Sequence, residues 1–317
     1  MPNNRTLLFL LCSAPLFAQT PPEIPYESVP NFLKLPADRY LGEAAGVALN
    51  SKGHIFVYHR GARTQVLEFD GGGQFIREIG KDLYGFVFAH VVRIDKDDHI
   101  WCVDEGANMV IEFDPAGRVV MVLGRKAEAV ESAAAHAETP PARDNLFNRP
   151  TDIAWDASGN SFISDGYGNS RVAKVDKDGN WIKSWGKRGT EPGEFHTPHS
   201  IAIDASGKVY VGDRENRRIQ VFDGDGTFLK QWTNAGAPWA ICITPGPRQV
   251  LYSSDSVPGR IYKMDLDGNV LGVFGKAGKR LGQFGWVHEL ACPAENTLYA
   301  GEILNWRVQK LLLHPAQ

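Results

Sequence analysis

Nowhere does the sequence run to eighteen consecutive apolar residues, which excludes a membrane-spanning helix. Net charge is also small: 34 lysines and arginines against 37 aspartates and glutamates leave a formal charge of −3. The two signs are interspersed and form no basic stripe, so a nucleic-acid partner is not expected. Cysteine is scarce, at four in 317 residues, too few for a disulfide framework. What is abundant is glycine, at 33, beside an ordinary apolar content of 43%. That combination suits turn-rich β structure, and a chain this long can bury a full core.

The first eighteen residues differ from the rest. Arg5 precedes the apolar run 7–11, and small residues follow up to Ala18, the pattern of a secretory signal cut between Ala18 and Gln19. Export to the periplasm or beyond is therefore expected, with residues 19–317 forming the domain. Cys12 is a poor lipidation site because bulky Leu11 precedes it. Cys102, Cys242 and Cys292 are then left, enough for one bridge.

The stretch PHSIAIDASGKVYVGDRENRRIQVFDGDG, residues 198–226, is the template for most of the chain. An apolar strand, an Ala-Ser-Gly turn, a strand ending in Asp, a polar loop and a third strand follow one another. Copies align at Ala45, His90, Thr151, His199, Trp239 and His288, where the first strand begins. The second strand closes at His59, Asp104, Asp165, Asp213, Asp255 and Glu302, fourteen positions later in five of the six units. Six small antiparallel sheets predict an all-β, six-bladed β-propeller. Such a ring must close. The apolar segment 29–35 is expected to pair with the last strand, 308–313, and protect both edges. An insertion at about 125–145 interrupts the array on the end of the ring where the functional residues gather, and a lid role is expected for it.

The departures from the repeat carry the functional reading. Antiparallel pairing puts the start of the first strand and the end of the second at one end of the ring. Histidine begins the first strand in units two, four and six, so His90, His199 and His288 converge on the axis from alternate blades. Three imidazoles with an open fourth position are a zinc donor set. His54, His99, His136, His196 and His314 lack this pattern and read as surface residues. The acidic residue closing the second strand is expected to pair with the arginine opening the third: Arg171, Arg218, Arg260 and Arg307. Arg60 and Arg214 sit one residue beyond the closing position, outside that scheme. Tyr167 occurs in Asp-Gly-Tyr-Gly-Asn-Ser-Arg, whose glycines let it reach the same mouth.

These residues resemble the peptidyl-α-hydroxyglycine α-amidating lyase family. The matching motifs are Gly46-Val47-Ala48-Leu49 leading to Tyr58-His59-Arg60-Gly61, Pro150-Thr151-Asp152 leading to Ser164-Asp165-Gly166-Tyr167, and Pro198-His199-Ser200 leading to Asp213-Arg214-Glu215-Asn216. The resemblance spans all six units and implies zinc at His90, His199 and His288, with Arg60, Tyr167 and Arg214 catalytic. It also implies a structural calcium held by the backbone carbonyls of Val47 and Val92 and the carboxylate of Glu289, where the family usually has Asp. Disulfides of the animal enzymes fall at Asn148, Gly168, Tyr210 and Val221, and both partners of each pair are absent.

The expected activity is that of an exported, monomeric zinc lyase acting on a small molecule or peptide that bears an α-hydroxyglycine. Tyr167, acidified by nearby arginine and zinc, would act as base, and Arg60 and Arg214 would hold the substrate carboxylate. One alternative is a non-catalytic propeller binding a protein or glycan, since such folds host many functions. Another is a calcium-dependent lactonase-type propeller, which needs axial Glu, Asn and Asp ligands where this chain offers histidine.

Overall fold

The computed structural model describes residues 21–127 and 142–314. The expected signal, 1–18, and most of the insertion, 128–141, lie outside the described residues, so the lid reading does too. No helix among the described residues is long and apolar enough to cross a membrane.

Six four-stranded antiparallel sheets form the blades of a β-propeller. Their innermost strands are Glu43–Leu49, Ala89–Ile94, Asp152–Trp155, Pro198–Ile203, Pro238–Ile243 and Val287–Ala294. β-branched and aromatic residues dominate the buried second and third strands, whereas outer strands such as Trp181–Trp185 are half exposed. Apolar clusters fill the joints between neighbouring blades: Val103 and Val110 of blade two, for example, share a core with Ile153 and Ile163 of blade three. Turn chemistry sets the hairpins. Asp204 Oδ1 accepts from the backbone N–H groups of Ser206 and Lys208, at 2.8 and 3.0 Å, and Gly207 supplies the positive φ of 83° between them. Gly46 has a different task. A Cβ there would lie 2.5 Å from Val92 N, so glycine lets the inner strands of blades one and two touch.

The aligned repeat position has a structural meaning. Ala45, His90, His199, Trp239 and His288 are each the extra residue of a β-bulge in their inner strand. In blade three Thr151 stands just ahead of the inner strand, bonded to Ser164 O through its own N–H. A bulge re-aims one side chain out of the pleat.

Ring closure differs from the sequence expectation. The strand that completes blade six is Tyr26–Ser28, paired with Arg307–Leu313, not segment 29–35. Pro30 and Asn31, the latter at a φ of 48°, turn the chain away after Val29 N bonds Lys310 O. Phe32, Leu33 and Leu35 instead pack on a core shared by blades six and one, and Lys34 bridges Gln74, just ahead of the outer strand of blade one. Upstream, Glu23 bridges Val273 on the outer strand of blade five. The N-terminal segment therefore touches three consecutive blades. Cys242 and Cys292 form a disulfide between the inner strands of blades five and six, and Cys102 is buried as a free thiol.

The acidic residues closing the second strand act as blade clasps. Asp165 accepts from Asn148 N at 2.8 Å, Asn169 Nδ2 at 2.6 Å and Arg171 Nε at 3.0 Å. Asp213 pairs with Arg218 at 2.7 Å, and Glu302 with Arg307 at 2.7 Å. Blade five departs from the expected pairing. Arg260 is drawn to Glu23 and Gly275 O, and the cation nearest Asp255 is Arg217 at 3.6 Å.

Blade one carries His59 where the others carry a carboxylate. Gly42 N donates to its Nδ1 at 3.2 Å, and its buried Nε2 has no partner. Burial lowers its pKa from 6.5 to about 4, so the fold holds the ring neutral. Below about pH 6.5 the unfolded chain binds a proton that the folded chain refuses. Stability from this site is therefore complete above that pH and falls by about 3 kcal/mol as pH drops to about 4. Urea unfolding of wild type and His59→Gln at a series of pH values checks this: the substitution should flatten the acid limb over that window.

Candidate active site

The bulges of blades two, four and six deliver His90, His199 and His288 to the axis, all buried. Their ring centroids lie 4.6 to 4.9 Å apart. His199 Nδ1 meets Trp239 O at 2.6 Å, and His288 Nδ1 meets Ala45 O at 2.8 Å. A carbonyl can only accept, so Nδ1 carries the proton and Nε2 presents a lone pair. In both cases the carbonyl belongs to the bulge residue of the next blade. The same ring geometry brings Thr151, the corresponding residue of blade three, beside His90. Both ring nitrogens of His90 are buried without a partner in hydrogen-bonding geometry.

Burial drives all three imidazoles toward the neutral form. His90 and His199 fall well below 6.5, and His288 falls to about 3, with Arg60 and Arg214 adding repulsion. The ligand atoms lie within 4.8 Å of one another. Neutral rings, two of them oriented by carbonyls and the third left with orphaned nitrogens, are a donor set into which a zinc ion fits. Asp95, His99 and Glu112 also gather, at the other end of blade two. Blade one repeats that contact as His54 with Glu68 at 2.8 Å, so this cluster reads as repeat packing.

Tyr167 leans over the triad from the loop after Asp165. Its Oη lies 3.1 Å from His199 Nε2 and accepts from Arg214 Nη1 at 3.3 Å. Arg214 stacks on Trp239 at 4.5 Å, with Nε held by Glu215 at 2.9 Å. Arg60 donates from Nε to Ala89 O at 2.7 Å and lies over Phe88 at 3.7 Å. The structure thus brings all six sequence-predicted zinc and catalytic residues to one mouth.

Three neighbours were not foreseen. Glu105 lies 3.9 Å from Arg60 Nη2 and accepts from Arg149 Nε at 2.9 Å. Arg149 in turn covers the Tyr167 ring at 4.5 Å. Trp239 walls the opposite side and meets the partly exposed Trp286 in a tilted contact, ring centroids 5.3 Å apart. Glu105 had a signal, since it occupies the register of Arg60 and Arg214. Arg149 had none, because only the ring geometry sets it over Tyr167.

Glu105 matters to the phenol. Arg214 and Arg60 pull the Tyr167 pKa down, but burial is the larger effect and Glu105 adds to it, so the group sits above its usual 10.0. The expected acidification is therefore not supplied by the arginines alone.

The calcium donors do not fit as the resemblance implies. Val47 and Val92 lie on inner strands as expected, but Glu289 Oε1 is taken by Arg93 Nη2 at 2.8 Å. A guanidinium in the carboxylate's coordination sphere opposes a second cation there. The positions of the lost disulfides do adjoin: a Cβ on Gly168 would strike the Asn148 side chain, and Tyr210 faces Val221 across two strands.

Comparison with known proteins agrees with this architecture. The NHL repeat family matches residues 195–222. A peptidylglycine alpha-amidating monooxygenase of Rattus norvegicus is 28% identical over 86% of this chain, which spans only 30% of that relative's length. A Caenorhabditis elegans protein named as a probable peptidyl-alpha-hydroxyglycine alpha-amidating lyase is 27% identical, over 86% of this chain and 83% of its own. Human NHL repeat-containing protein 3 is 31% identical over 68% of this chain and 60% of its own. The chain is accordingly an NHL-repeat six-bladed β-propeller and a homologue of the peptidyl-α-hydroxyglycine α-amidating lyases.

Proposed function

We propose that this protein is an exported, monomeric zinc-dependent lyase that splits an N-acyl- or peptidyl-α-hydroxyglycine into an amide and glyoxylate. The observation that carries the reading is the meeting, at one mouth, of three neutral imidazoles with Tyr167 and Arg214. His90, His199 and His288 would hold zinc, which would supply Lewis acidity and a positive charge beside Tyr167.

The chain's own groups do the rest. Arg60 and Arg214 flank the mouth and hold the substrate carboxylate, which fixes the hydroxyl-bearing carbon near Tyr167. Tyr167 Oη takes the hydroxyl proton as the C–O bond becomes C=O and the C–N bond breaks. The same proton, returned to the amide nitrogen, balances the reaction without water. Arg149 and Glu105 set the orientation and charge around that phenol.

Metal analysis of the purified protein should find one zinc per chain, and His199→Ala should lose most of it. Zinc-loaded wild type should release glyoxylate from a hydroxyhippurate-like substrate. Equal zinc in both proteins ends the triad assignment. Zinc without glyoxylate from any α-hydroxyglycine favours the non-catalytic propeller that binds a protein or glycan.

A further inference from the structure

Beyond the histidines, toward the other face of the ring, an arginine fills the axis. Arg93, three residues along the blade-two strand from His90, is bidentate to Asp152 of blade three: Nε to Oδ1 at 2.9 Å and Nη2 to Oδ2 at 2.7 Å. The same Nη2 lies 2.8 Å from Glu289 Oε1 of blade six and 3.4 Å from Ile241 O of blade five. Nη1 faces Leu290 O, also at 3.4 Å. Four of the six inner strands thus meet on one guanidinium. Beneath it a cavity of about 360 Å³, lined by the far ends of the inner strands, opens on the opposite face.

Three of the four carboxylate oxygens around it are committed. Asp152 Oδ1 also accepts from Ile153 N at 2.8 Å, and Oδ2 from Ile201 N at 3.0 Å. Of the buried acidic oxygens here, only Glu289 Oε2 is without a partner. Calcium takes six to eight oxygens. Planar, always charged and with five donors, a guanidinium can satisfy several strands at once in its place.

We propose that Arg93 is a built-in cation that stands in for a structural divalent ion, tying four blades at the axis and making the fold independent of calcium. The inference is separate from the proposed reaction, because it concerns the ring and not the mouth. It makes a specific claim about variants. Replacing Arg93 with alanine leaves two buried carboxylates facing the vacated volume, which is destabilising without a cation and attractive to one.

The experiment uses full-length protein with zinc maintained throughout. Wild type should contain no stoichiometric calcium, and millimolar calcium should leave its melting temperature unchanged. Arg93→Ala should melt about 10 °C lower in calcium-free buffer and recover much of that loss when calcium is added. One calcium per wild-type chain, or a wild-type melting temperature that rises with calcium, overturns the proposal. So does an Arg93→Ala variant as stable as wild type without calcium, or one that calcium fails to restore. If that variant cannot be purified at all, calcium content and calcium response of the wild type decide the question alone.

Discussion

Tyr167→Phe should retain zinc and fold normally while losing about 10²–10⁴-fold in turnover, the usual cost of deleting a general base. The substitution removes one oxygen, whose partners are His199 Nε2 and Arg214 Nη1. The ring contacts with His90 and His199, at 5.6 and 5.8 Å, remain. Because burial and Glu105 both push the phenol up, the chain alone keeps it protonated at neutral pH. The proposed role therefore requires the metal's charge, and removing Glu105 should help the base. Kinetics of glyoxylate release by wild type, Tyr167→Phe and Glu105→Gln, each with measured zinc content, provide the check. Wild-type turnover in zinc-loaded Tyr167→Phe would remove Tyr167 from the mechanism.

Asp165→Ala should cost about 3–5 kcal/mol of stability, the range for breaking a buried ion pair by deleting one partner. Its carboxylate is fully buried, and the Arg171 side chain it holds is only 4% exposed. Deletion strands that guanidinium and frees Asn148 N and the Asn169 amide together. Two residues further along stands Tyr167, so activity should fall as well, through lost positioning of the loop. Denaturant unfolding measures the first effect, and Asp165→Asn, which keeps the shape and the acceptor oxygen, should lose less. A loss below about 1 kcal/mol would mean that the other contacts of Arg171 suffice.

The ring itself and the His triad were legible in the sequence because both rest on a repeat. A strand of alternating apolar residues between Gly turns has one solution per unit, and six such units close on themselves. His90, His199 and His288 stood out by sharing one register, and the bulge at that register is what turns them to the axis. The closing strand was misplaced for a physical reason. Sequence shows hydrophobicity, and Phe32, Leu33 and Leu35 are the apolar residues, yet they serve as filler for a blade joint. The strand proper is three residues long, anchored by Tyr26, whose ring packs on Phe274 and Phe284. Arg93 was illegible for a related reason: a lone arginine in an apolar strand declares no direction, and only the assembled ring shows it facing Asp152 and Glu289.

The N-terminal segment that touches blades five, six and one gives the protein a particular history each time it folds. Ser28 and Gln309, bonded at 2.7 Å, are 281 positions apart. Early residues must wait through the synthesis of nearly the whole array before their partners exist. Contacts of such separation form late and slowly. Once made, they act like the tongue of a buckle: blades six and one cannot part until strand Tyr26–Ser28 peels from its neighbour, and the bridges at Glu23 and Lys34 hold either side of it. Interactions that form after the folding barrier chiefly slow escape from the native state. This seam should therefore govern how long the ring persists more than how quickly it is made.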